Sequence, residues 1–122
     1  MKTLVSLLLL LAPTLASADK VASSTMVDCA KEPSYQITNG AGSYTFTGTC
    51  TKILVAGGEN HLTIENVKEL VVAGSENTID VGGADKIAIS GGDNKVRYKK
   101  GLTGAKPKVS IVGTHSTAEQ IK

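Results

Sequence analysis

Apolar and polar residues alternate through most of residues 35–121, in short runs separated by Gly-containing turns. A period of two is typical of strands, whereas helices repeat apolar positions every three to four residues. The centre of the chain reads as three aligned copies: KILVAGGENHLTIENVK (52–68), ELVVAGSENTIDVGGAD (69–85) and KIAISGGDNKVRYKKGL (86–102). A repeat of about 17 residues indicates an array of similar structural units.

Each copy has the same residue types at the two ends of its central turn. A Gly begins the central turn and an Asn ends it, and both residue types accept the positive φ values of tight corners. We therefore expect positive φ at both ends of the turn, at Gly57, Gly74 and Gly91 and at Asn60, Asn77 and Asn94.

Degenerate copies flank the three. Residues 35–48 fit as a first copy one residue longer, and residues 108–121 fit as a last copy after an insertion of five residues. Atypical terminal copies are expected in a stacked array, whose end faces have no neighbour. The predicted inward positions are Tyr35, Ile37, Tyr44 and Phe46 in the first copy, and Val109, Ile111 and Ala118 in the last.

The similarity between copies favours a solenoid over a meander. In a solenoid each strand pairs with its equivalent one coil away, about 4.8 Å along the axis. Such stacking places Ile on Leu, Asn on Asn, and Glu69 between Lys52 and Lys86, with the Asn amides able to hydrogen-bond along the stack. The sequence therefore predicts an all-β, single-domain parallel β-helix, or β-solenoid, of about 17 residues per coil and four to five coils.

Residues 1–18 have the pattern of an export signal. Lys2 precedes an apolar stretch from Leu4 to Leu15, and Ala16-Ser17-Ala18 has the small-x-small spacing of a cleavage site. The stretch is shorter than the roughly 20 residues that cross a bilayer. We predict a signal peptide at 1–18 cleaved after Ala18, an N-terminal cap segment at 19–34, a repeat domain at 35–122, no membrane anchor after processing, and a periplasmic or secreted location.

Export changes the interpretation of the two cysteines. An even pair in an exported domain predicts a disulfide, here between Cys29 and Cys50. By the loop-entropy estimate, closing a segment of this length contributes about 3 kcal/mol.

The composition and the motifs of the chain do not indicate a catalytic or cofactor-binding site. The chain has 122 residues, 13 Gly, no Trp and a net charge of +2, which becomes +1 once Lys2 is removed. This balance does not favour global attraction to nucleic acid or membrane. Nucleophile elbows, phosphate-binding loops and paired zinc ligands are not found. We expect no enzymatic activity, cofactor or metal, and interpret Glu59, Glu76 and Asp93 as solvated turn residues and His61 and His115 as solvated histidines.

Two surface features are candidates for binding. The stretch 95–108 is basic and includes an inserted loop, so it is either a solvated loop or a polyanion-binding surface composed of Lys95, Arg97, Lys99, Lys100, Lys106 and Lys108. The first strand of each copy is apolar on both sides, which predicts a covered outward strip. That possible interaction face comprises Leu54, Ala56, Val71, Ala73 and Ala88, and its cover would be residues 19–34 or another molecule.

The turns GGEN, GSEN and GGDN, the break before Pro107 and the degenerate final turn GTHS resemble those of short exported bacterial proteins grouped as domain of unknown function 3060. The resemblance implies a β-solenoid and brings no known activity or site residues. We therefore expect a non-enzymatic structural or binding module of the bacterial envelope, monomeric or homodimeric, whose partner is unknown and is either an envelope polymer or another protein. The alternative is a small polyanion- or carbohydrate-binding protein acting through the basic loop 95–108. A polysaccharide-cleaving β-helix enzyme is the third hypothesis.

Overall fold

The computed structural model describes residues 20–21, 26–30, 33–104 and 106–121. The predicted signal peptide therefore lies outside the described residues. The strands are β1 (Lys20–Val21), β2 (Met26–Asp28), β3 (Ser34–Ile37), β4 (Ser43–Val55), β5 (His61–Val72), β6 (Thr78–Ser90), β7 (Lys95–Gly101), β8 (Lys108–Val112) and β9 (Thr117–Gln120). No described residues form a helix long and apolar enough to cross a membrane.

Every strand pairing in the described chain is parallel. The order is β1-β3-β4-β5-β6-β7-β9, with β2 on β4 and β8 on β6. The central strands pair exactly one repeat apart in the chain, so that Leu62 lies beside Ile79 and Leu70 beside Ile87. The fold is therefore a parallel β-solenoid of about four coils, which confirms the predicted fold class.

The long strands β4, β5 and β6 each turn a corner of the coil. Each begins on one face of the solenoid, passes a corner at which one residue faces inward, and ends on the other face. The solenoid has two outward faces. We call groove face the outward side of the segments that begin at Ser43, His61, Thr78 and Lys95. We call strip face the outward side of the segments that begin at Lys52, Glu69, Lys86 and Lys108.

Inward side chains form continuous apolar columns along the axis. Leu62, Ile79 and Val96 are fully buried in one column, and Ile53, Leu70 and Ile87 are fully buried in another. Burial of each such side chain contributes about 1.5–3 kcal/mol, so the repeat length is maintained by the fit of each coil on the next. The predicted inward residues of the first copy are also buried, from 0% exposure at Ile37 to 8% at Tyr35.

The extra residue of the first copy is absorbed at one corner. Pairing between β4 and β5 shifts between Phe46 and Thr49, and Gly48 there has a φ of 81°. A left-handed conformation is readily adopted by Gly, so the insertion leaves the pairing on both faces intact.

The N-terminal end is closed by short strands and a disulfide. β1 pairs with β3, and β2 pairs with β4. Cys29 is bonded to Cys50, with the Cα atoms 5.0 Å apart and both side chains buried. The predicted disulfide is thus confirmed, and it occupies the inward corner column that Val67 and Ala84 continue in later coils.

The turn asparagines form a buried ladder. Asn60, Asn77 and Asn94 are at most 2% exposed. The Asn77 backbone N–H donates to Asn94 Oδ1 at 3.1 Å, and the Asn77 amide donates to the same oxygen at 3.0 Å. In the last coil Ser116 takes the place of Asn, because its hydroxyl accepts from the Asn94 N–H and donates to the Gly91 carbonyl.

The prediction of positive φ at the asparagines is wrong. The left-handed residues of the turns are the preceding Glu59, Glu76 and Asp93, with φ of 57–58°, and His115 in the last turn. The left-handed conformation thus falls on the residue before each Asn. The side-chain amide of the Asn points inward, where it forms the ladder bonds.

The prediction of positive φ at the turn glycines is confirmed at one of the three positions. Gly91 has a positive φ of 133°, whereas Gly57 and Gly74 do not adopt positive φ. At Gly74 the requirement is space, because a Cβ would overlap the carbonyl oxygen of Gly57 in the coil below.

Candidate functional site

A groove of about 470 Å³ runs along the groove face from β4 across β5 and β6 to Lys99 on β7. Such a volume falls within the roughly 300–1,000 Å³ of small-molecule sites. Phe46, Ile64 and Val81, whose side chains are buried in the core, also line the groove between its outward residues, and Ile121 lies at its C-terminal end. Its polar side chains are Thr45, Thr47, Thr63, Glu65, Asp80 and Lys99.

The groove exists because one outward column is interrupted by a glycine. Gly82 lies where its neighbours in adjacent coils carry Glu65 and Lys99. A Cβ at Gly82 would overlap the carbonyl oxygen of Glu65, so the two coils approach closely there. Glu65 and Lys99 therefore flank a gap two coil spacings wide, about 10 Å.

A charged cluster lies beside the groove and reaches its lining through Asp80. Asp80 Oδ1 accepts from Arg97 Nε at 2.8 Å and lies 2.8 Å from Arg97 Nη2. Asp80 Oδ2 lies 4.0 Å from His61 Nε2. The parallel register brings these three residues together. Arg97 pairs directly with Asp80 on the next strand, and His61 lies on the preceding strand at the neighbouring outward position.

Glu65 is also held in place. Its Oε1 accepts from the Gly48 N–H at 2.7 Å, at the corner where the first copy carries its extra residue. A charge-assisted hydrogen bond of this kind fixes the carboxylate, which leaves Oε2 able to accept from a ligand. Lys99 has no ion pair within the described ranges, so its ammonium is a free donor beside the same gap.

The threonines supply hydroxyl groups at a regular spacing. Thr45 pairs with Thr63, and Thr63 pairs with Asp80, so two hydroxyls and a carboxylate follow one another along the axis. Hydroxyls both donate and accept. The arrangement can bind a ligand that presents several hydroxyl groups along an extended chain.

The basic residues predicted to form one surface are distributed over different faces. Lys95, Arg97 and Lys99 alternate outward on β7 beside the groove. Arg97 is paired with Asp80, Lys100 follows at the next position, and Lys106 lies in the loop. Lys108 is on the strip face, stacked on Lys86. The structure thus brings together three of the six, of which one is already neutralised.

The apolar strip has the predicted register. Leu54, Val71 and Ala88 are neighbours in adjacent coils and are half-buried, while Ala56 and Ala73 are exposed. The described residues of 19–34 pair as strands at the N-terminal end, so these residues extend the solenoid and do not cover the strip.

Neither the turn acids nor the two histidines line the groove, although His61 lies near Asp80 of its lining. Glu59, Glu76 and Asp93 are exposed, and His115 Nδ1 lies 3.8 Å from Asp93 Oδ1. Over the described residues, no three His, Cys, Asp or Glu side chains come close enough together to hold a metal ion.

Sequence reasoning missed the groove. Its residues lie at outward positions, where the copies share no common type, and its defining feature is a missing side chain. The signal in the sequence is that the position after Val81 carries Gly82, whereas the equivalent positions carry Glu65 and Lys99.

Parallel strands, a fixed repeat length and ladders of like residues define a β-solenoid. The family described as protein of unknown function (DUF3060) matches residues 41–82 and 68–115. The chain belongs to this family, as its turn sequences predicted. Neither the curated proteins nor the solved structures yield a match.

Proposed function

We propose that this chain is an exported, non-enzymatic binding module of the bacterial envelope that holds a short saccharide in the groove over Gly82. The observation that carries the proposal is the set of polar groups around a concave gap: the Thr45 and Thr63 hydroxyls, the Glu65 carboxylate fixed by the Gly48 N–H, and the Lys99 ammonium. Sites that recognise ligands combine an apolar floor with a few placed polar groups.

Three features of the groove favour a saccharide. The polar groups repeat along the axis at the coil spacing of about 4.8 Å, so they match a ligand that is itself repetitive. Both donors and acceptors are present, as ring hydroxyls require. Asp80 is neutralised by Arg97, so Glu65 and Lys99 leave the groove without a strong net charge, which suits an uncharged sugar better than a polyanion.

Export is part of the proposal. The Cys29–Cys50 bond is compatible with an oxidising compartment, and the pattern of residues 1–18 is that of a signal peptide. A rigid stack stabilised by a disulfide is suited to holding a binding face outside the cell.

The test is isothermal titration of the oxidised protein with neutral oligosaccharides such as maltohexaose and chitohexaose. Thr63→Tyr fills the groove from an exposed strand position and should abolish the heat of binding. Thr78→Tyr makes the same substitution in the neighbouring column outside the groove and should bind like the parent. Equal loss in both variants, or no binding by the parent, contradicts the site. Release of shorter products would contradict the non-enzymatic assignment.

Polyanion binding is the alternative, and the outward row Lys95, Arg97 and Lys99 on β7 favours it. If it holds, affinity for heparin falls steeply with salt because bound counterions are released. Substitution of both Lys95 and Lys99 by Gln, which leaves the Arg97–Asp80 pair in place, should then markedly reduce retention on heparin. Unchanged retention leaves the basic stretch as a solvated loop.

A further inference from the structure

At the C-terminal edge of the solenoid, two apolar columns that are buried in the preceding coil end in exposed residues. All five residues of β8 are exposed. Val109 and Ile111 are 39% and 41% exposed, whereas Ile87 and Ile89, their neighbours one coil earlier, are 0% and 2% exposed. Within the described ranges, therefore, nothing covers the ends of these two columns at Val109 and Ile111.

The backbone of β8 is also available for pairing. β8 pairs with β6 on one side, and no other strand of the described ranges lies on its other side. An edge strand presents unpaired N–H and C=O groups that favour addition of another strand. The N-terminal strands β1 and β2 cannot supply it, because they pair at the opposite end of the stack.

We propose that a second copy of this chain covers the edge, with β8 pairing antiparallel to the β8 of its partner about Ser110. In that register Val109 of one copy faces Ile111 of the other, twice, so both apolar columns close on apolar residues. Lys108 faces Val112, whose side chain is 68% exposed, and the lysine stem can pack on it while the ammonium stays in water. A two-fold contact of this kind closes on itself.

Head-to-tail stacking fits the chain less well. Within the described residues, the strand at the opposite end of this face, β1, has two residues, whereas β8 has five. A parallel ladder continued from β8 onto β1 of another copy would therefore pair two of the five β8 residues. The antiparallel arrangement pairs all five.

Sedimentation velocity of the oxidised full chain, over a roughly hundredfold concentration range, measures the association. We expect a monomer–dimer equilibrium. Ile111→Lys should raise the dissociation constant at least about 100-fold, because it places an unpaired charge in the apolar contact. Ser75→Lys adds the same charge at an exposed turn two coils away and should leave the dissociation constant unchanged.

Cysteine cross-linking tests the register without depending on Ile111→Lys. Ser110→Cys places two thiols opposite each other at a Cα separation that a disulfide spans, so mild oxidation should give a covalent dimer. Val112→Cys should not cross-link to itself, since its partner position is Lys108. A parent that stays monomeric, a dimer that Ile111→Lys leaves intact, or cross-linking by Val112→Cys as efficient as by Ser110→Cys would overturn the proposal.

Discussion

The buried amide of Asn77 offers the sharpest test of what holds the coils together. Its Oδ1 accepts from the Asn60 N–H at 3.0 Å, and its Nδ2 donates to the Gly57 carbonyl at 3.0 Å and to Asn94 Oδ1. Asn77→Ala leaves the first two groups without partners, whereas Asn94 Oδ1 keeps the Asn77 backbone N–H. An orphaned buried group costs about 1–3 kcal/mol. The Asn60 N–H is buried, whereas Gly57 is half-buried and its carbonyl loses less, so we expect a total loss of about 2–4 kcal/mol.

Two further substitutions separate hydrogen bonding from volume. Asn77→Leu fills the space but leaves the same two groups unpaired, so it should destabilise about as much as Asn77→Ala. Asn77→Ser reproduces the geometry that Ser116 shows in the last coil, where one hydroxyl serves both a backbone N–H and a carbonyl. The serine variant should therefore recover about half of the loss.

Urea unfolding followed by circular dichroism, with the disulfide intact, measures these differences. With a slope of about 1–3 kcal/mol per M, the alanine variant should unfold at a markedly lower urea concentration while the slope stays the same. A loss under about 1 kcal/mol in Asn77→Ala, or a leucine variant as stable as the parent, would refute the assignment of ladder stability to hydrogen bonds.

Three other substitutions or measurements address the turn, the export signal and the strip face. Gly74→Ala should destabilise by about 3 kcal/mol or more, because its Cβ would overlap a backbone carbonyl, whereas Gly92→Ala, whose Cβ meets nothing closer than 3.5 Å, should have a melting temperature near that of the parent. The intact mass of the exported protein should correspond to a chain starting at Asp19 and lacking two hydrogens for the disulfide, and free thiol in the denatured, unreduced protein would contradict this. Val71→Lys should lower the melting temperature or split an oligomer if the strip is covered, and a variant that melts and sediments like the parent would identify the strip as exposed surface.

The core could be predicted from the sequence because each inward column has one chemical character. Stacked equivalents such as Ile53, Leu70 and Ile87 must all fit the same narrow space, so the coil length and a parallel register follow from the repeat alone. The disulfide could be predicted for a different reason, since two cysteines in a chain with the pattern of an export signal are expected to pair.

The turns show where residue type alone misleads. Asn was expected to take positive φ because it tolerates the left-handed region, yet that conformation falls on Glu59, Glu76 and Asp93. The outcome depends on burial: a position that is at most 2% exposed needs a side chain with both a donor and an acceptor, and Asn supplies both. The exposed neighbour then adopts the strained conformation.

The groove could not be predicted from the sequence, because the outward residues that form it are far apart in the chain. Glu65, Gly82 and Lys99 are separated by one full repeat at each step and lie together only once the coils are stacked in register. The basic stretch shows the opposite effect, since residues adjacent in sequence diverge when β7 and β8 lie on different faces. In a solenoid, residues at equivalent positions of successive coils lie side by side. Residues of one continuous segment can instead lie on different faces. Binding surfaces in this family should therefore be sought by comparing outward residues one repeat apart, with a small residue in an otherwise charged column marking the candidate site.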